Sequence, residues 1–124
     1  MKVMIAYPPL PSEKGTPLLA QNRQFQWFKD PTYIYPMVPA YAATMLKEAG
    51  FSVFWEDGIA EGLSSDAWRR RFQEIQPDLV VLESKTPVIR RHWTIIQDLK
   101  ASCPQTRFVL VGDHVTARPE ESLA

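Results

Sequence analysis

The chain is poor in the residues that most often announce a chemistry. Its single cysteine, Cys103, excludes an internal disulfide and any metal site built from several thiolates. Its five glycines supply no phosphate-cradling fingerprint, because the stretch after the first apolar run, Tyr7 to Gly15 (YPPLPSEKG), lacks the required spacing. The only two histidines, His92 and His114, are too far apart in sequence to form a ligand pair at metal spacing. Lys plus Arg number 14 and Asp plus Glu number 14, so the formal net charge is zero and favours neither nucleic acid nor an acidic membrane surface. No apolar run approaches the length of a membrane span, and the first residues show no signal-peptide pattern. Together with the lone cysteine, this points to a reducing cytoplasm. There is also no strand-to-helix nucleophile elbow, and no residue set in the chain reads as catalytic.

What is present is a core. The 124 residues suit one domain, and a hydrophobic content of 45% can fill it. Four short apolar runs read as strands: 2–7 (KVMIAY), 52–56, 78–83 and 107–111 (RFVLV). Helical periodicity lies between and after them. Met37 to Ala49 places Val38, Ala42, Met45, Leu46 and Ala49 on one stripe, with Pro39 in the first turn and Gly50 as the C-terminal stop. Ser65 can cap a helix through Ile75 with Trp68, Phe72 and Ile75 inward. Pro87 to Ser102 carries Val88, His92, Ile95, Ile96 and Leu99 on one stripe, and Pro119 with Glu120 and Glu121 opens a further helix. Strands alternating with helices predict an α/β fold, a flavodoxin-like (Rossmann-like) parallel sheet in order 2-1-3-4 with helices on both faces. The chain stops at Ala124, inside a helix that should lead to a fifth strand, so the sequence reads as a piece of a longer protein.

In such a sheet, ligands bind at the carboxyl ends of the strands. Three stretches should meet there: Pro8 to Pro11, Ser84 to Thr86, and Gly112 to Thr116. Residues 8–36 show no helical or strand period, yet they carry Phe25, Trp27, Phe28, Tyr33 and Tyr35. A long loop of this kind is either a ligand or partner surface or a minor core. Asp57 before Gly58 reads as a turn residue, and Arg69, Arg70 and Arg71 as a solvated helix face. His92 reads as a satisfied core histidine and Cys103 as a buried, inert thiol.

The stretch GDHVTARPEESL, from Gly112 to Leu123, resembles the segment after the fourth strand of the N-terminal cobalamin-binding domains of cobalamin-dependent radical SAM enzymes. That family commonly shows a Gly-Gly pair, a His, a small residue or Thr, and Pro-Glu-Glu. Here Asp113 replaces the second Gly. The stretch YPMVPAYAATMLKEAGFSV is similar to the family's helix before its second strand, with Val38 and Pro39 where a Leu and a Gly are usual. The resemblance implies a cobalamin-binding module covering residues 1–124, with Pro8, Pro9, Leu10, Ser84, Lys85, Thr86, Gly112, Asp113, His114 and Thr116 around the cofactor. The DxHxxG motif that supplies an axial histidine in mutases is missing after the first strand, so cobalt would have no protein His below it. The CxxxCxxC motif is also absent. A 4Fe-4S cluster and S-adenosylmethionine would therefore belong to a following radical SAM domain, the implied partner. Two other classes share the architecture: a nucleotide or sugar-nucleotide binding domain, and a receiver-like interaction module. Gly112 is the only glycine placed for the first; the second needs paired acidic residues after the first strand and a phosphorylatable Asp after the third, and Tyr7-Pro8 and Glu83-Ser84 do not fit.

Overall fold

The structure is a computed structural model and describes residues 1–19 and 25–123. Four strands form one parallel sheet: β1 (Lys2–Tyr7), β4 (Ser52–Asp57), β5 (Leu79–Glu83) and β6 (Arg107–Val111). Their order is β4-β1-β5-β6, the flavodoxin-like arrangement expected from the alternation of elements. The register sets Tyr7 beside Asp57, and Glu83 beside Val111, so the strands end together on one edge. Val3 to Tyr7 are all buried, as a central parallel strand covered on both sides requires.

Side chains alternate across the sheet. On one face, Met4, Ala6 and Val80 pack against Trp68 and Phe72 of α2 (Ser65–Ile75) and Leu99 of α3 (Ile89–Ser102), with Phe54 and Phe108 at the margins. On the other face, Ile5 and Tyr7 meet Ala43 and Leu46 of α1 (Met37–Glu48), and also Leu19, Phe25 and Trp27. Helices therefore flank both faces. The cap of α2 is Ser64 rather than Ser65; its hydroxyl accepts the Ala67 N–H at 3.1 Å. Gly50 (φ 88°) closes α1 as expected: its N–H reaches the Lys47 carbonyl while Phe51 N–H reaches Leu46, the Schellman pattern.

Two further expectations are corrected. The stripe assigned to the inner side of α1 lies mostly outside: Val38 is 72% and Met45 69% exposed, and Ala42 and Ala49 are also exposed. The inner side is built on Ala40, Ala43 and Leu46, because small residues let the helix approach β4 closely. The stretch 8–36 is also not a plain loop. It holds β2 (Thr16–Leu18) and β3 (Gln26–Phe28), paired antiparallel with Pro17 opposite Trp27. Phe25 and Trp27 meet edge to face at 5.4 Å and pack on the core, so this half of the stretch is minor core. The part at 20–24 lies outside the described residues. Beyond β6 lies a short helix, α4 (Asp113–Ala117), followed by α5 (Pro119–Leu123), the helix that Pro119 was expected to open.

Candidate functional site

At the carboxyl edge, the ends of β5 and β6 are tied together. Ser84 N–H donates to the Val111 carbonyl at 2.9 Å, Lys85 Nζ to Asp113 Oδ2 at 2.7 Å, and His114 Nδ1 and Thr86 Oγ1 share a hydrogen bond of 3.1 Å. The structure thus brings Ser84, Lys85 and Thr86 into contact with Gly112, Asp113 and His114. Gly112 has φ 115°, and a Cβ there would collide with the Ser84 carbonyl oxygen, so strand-end packing itself demands glycine. Thr116 donates to the Gly112 carbonyl at 2.9 Å and faces solvent. Pro8, Pro9 and Leu10 are buried beside these ends rather than presented on them. Pro9 packs against Gly58, and the Pro11 carbonyl accepts Arg91 Nη2 at 2.9 Å.

Beneath this edge lies His92, fully buried, with Nδ1 2.7 Å from Ser84 Oγ. Burial, with Arg91 nearby, pushes its pKa down to about 4, so the imidazole is neutral at pH 7. His92 is the core histidine its stripe predicted, although its Nε2 has no partner among the described residues. His114 is 6% exposed, and its Nε2 is 3.6 Å from Glu121 Oε2. The Trp93 ring stands edge-on to it at 6.0 Å. Arg69 pairs with Asp98, and Arg71 with Glu56 and Glu61, as expected of a solvated face. Cys103 is half-buried beside the first cluster, a little more open than expected.

A second group of residues at this edge escaped the sequence reading. Tyr7 O–H donates to Glu83 Oε2 at 2.6 Å and bridges the ends of β1 and β5. Burial, reinforced by this contact, raises the Tyr7 pKa; burial also raises Glu83 above its ordinary 4.5, even though the tyrosine bond opposes it. Next to Tyr7, Asp57 Oδ1 accepts the Ala60 N–H at 2.9 Å, which makes it the turn residue expected. Burial raises its pKa as well, with Glu61 adding in the same direction. Between these strand ends and residues 32–36 lies a cavity of about 260 Å³. The one signal for it in the sequence was that Tyr7 and Asp57 each end a strand.

Cobalamin, the group implied by the resemblance, asks for polar contacts around its amide-bearing rim. The solvent-facing members of the edge are Thr86, Asp113 and Thr116, with half-open Gly112 between them. These hydroxyls and the carboxylate fit the amide rim of such a macrocycle. His114 Nε2, buried and without a hydrogen-bond partner among the described residues, lies just below them. Ser84 and Lys85 are buried and serve as supports: Ser84 holds His92, and Lys85 holds Asp113. Among the described residues, no group of three or more His, Cys, Asp or Glu side chains could hold a metal ion, and no helix is long and apolar enough to cross a membrane. Compared with known proteins, the chain matches no family model, no curated protein and no solved structure.

Proposed function

We propose that this chain is a cobalamin-binding module that serves a radical SAM enzyme, in which methyl transfer or a related radical reaction occurs on a partner domain. The observation that carries the reading is the junction of Ser84–Thr86 with Gly112–Thr116 at the carboxyl edge of a parallel sheet. It is the same stretch on which the resemblance rests. Cobalamin supplies the cobalt centre; the chain's own residues bind and orient it. Thr86 and Thr116 offer hydroxyls, and Asp113, fixed by Lys85, accepts from amide N–H groups. Tyr7 to Leu10 contain no histidine, so that loop would offer a bound cobalamin no imidazole. The radical SAM domain, with its 4Fe-4S cluster and S-adenosylmethionine, is the proposed partner, and the reducing cytoplasm the proposed location.

The test is reconstitution with hydroxocobalamin, followed by desalting and absorbance spectroscopy. The purified protein retains the cofactor with a spectrum free of a histidine ligand, and His114→Ala leaves that spectrum unchanged. Failure to retain cobalamin overturns the reading, as does a histidine-ligated spectrum that disappears in His114→Ala.

A further inference from the structure

The cavity at the ends of β1 and β4 is separate from the β5–β6 junction, and the proposed function makes no use of it. Its floor is Tyr7 and Asp57, and its outer wall includes Tyr33 and Tyr35. Tyr35 is 67% exposed and stacks on Trp55 at 6.2 Å with only 20° between the rings; Trp55 in turn lies 6.0 Å from the Tyr7 ring. Tyr35 also borders a second hollow of about 240 Å³ with Met37, Ala40, Tyr41 and Thr44. The two hollows therefore meet at one aromatic ring. Among the described residues that line them, the only charged side chain is Asp57.

This combination has a direction. Backbone N–H groups of Ile59 and Ala60 hold the half-buried Asp57 carboxylate, but no basic side chain lines the hollows beside it, so a cation brought there supplies the missing counter-charge. Electron-rich aromatic faces attract the same kind of charge. Glu61, of like sign, adds to the rise in the Asp57 pKa. The nearby guanidinium of Arg71 is held by Glu61 and Glu56, at 2.7 and 3.3 Å. An anion would meet the Asp57 carboxylate, and a neutral apolar molecule would leave it without a counter-charge. A volume of about 260 Å³ is at or below the small end of ligand pockets, so the deep part takes a compact head group.

We propose that this cavity binds an organic cation with an apolar body, its ammonium on Asp57 and its body along Tyr35 toward Tyr41. Asp57→Asn is the informative variant, because an amide oxygen can still accept the Ala60 N–H while the charge is gone. Calorimetric titration of the protein with phenethylammonium should show saturable binding with Kd about 1 mM. 2-Phenylethanol, of the same shape without the charge, should bind at least about tenfold more weakly. Asp57→Asn should bring the cation down to the level of the alcohol, and Tyr35→Ala should weaken both probes. Equal affinity for the two probes on the unaltered protein overturns the proposal, and so does a cation affinity that survives Asp57→Asn or an absence of binding at saturating concentrations. The comparison of probes needs no variant, so it decides even where a substitution unfolds the chain. None of these readouts involves cobalamin, so either proposal can fail alone.

Discussion

On one face of the sheet, Met4, Ala6 and Val80 meet Trp68, Phe72 and Leu99, every one of them buried. On the other, Ile5 and Tyr7 are buried together with Leu10, Leu19 and Val88, but Trp55 and Val81 are only half covered and Val109 is 42% exposed. The helices differ in the same way. α2 buries Trp68 and Phe72, and α3 buries Ile89, His92, Ile96 and Leu99, whereas α1 has no buried residue. The filled face holds the fold together. The loosely covered face carries the cavity and the exposed aromatics, where a side chain can meet something other than its own core.

The sharpest break of this contrast is Phe72→Ala. The ring is fully buried between Trp68 and Phe108, so its loss should cost about 3–5 kcal/mol in urea unfolding. A loss under about 1 kcal/mol would mean that the filled face is not what holds the chain folded. Next is the buried imidazole of His92. Its folded pKa, about 4, lies below the ordinary 6.5, so its contribution is fully present above pH 6.5 and is lost as pH falls toward 4. The expected size is about 3 kcal/mol across that window. Glu83 and Asp57 act in the opposite sense. An acid with a raised folded pKa stabilises most below its unfolded value and loses that contribution as pH rises through the raised one. The difference between the unaltered protein and His92→Asn isolates the histidine, and an identical pH slope in both would refute the assignment. The smallest effect belongs to the open face. Met45→Ser on α1 should change stability by no more than about 0.5 kcal/mol, and a larger loss would show that this exposed side chain is buried in solution.

The legibility of the sequence follows the same division. β1 and β5 are readable because central strands covered on both sides become near-continuous apolar runs, and β4 and β6 because each is a short run rich in β-branched and aromatic residues bounded by turn residues. α2 and α3 were readable because Trp68, Phe72, Ile96 and Leu99 are large and periodic. His92 was placed inward by that same stripe. α1 misled because its inner contacts are made by Ala40 and Ala43, which carry a weak signal, while Val38 and Met45 carry a strong one on the outside. The β2–β3 pair was illegible because three-residue strands, one of them containing Pro17, show no alternation. At the candidate site, the contact between 84–86 and 112–116 followed from the expected strand order. The Tyr7–Asp57 cavity did not, since it depends on where residues 32–36 come to rest.

The place of β1 at the centre of the sheet has a consequence for how the chain is made. β1 leaves the ribosome before either of its partners, since β4 begins at Ser52 and β5 at Leu79. Until Glu83 has emerged, the uncharged run from Val3 to Tyr7 cannot complete its pairing on both sides. Parallel strands closed over such separations assemble slowly, and a short apolar β-segment waiting for its neighbours is a site for mispairing. The innermost strand of the finished molecule is therefore its most vulnerable stretch during translation.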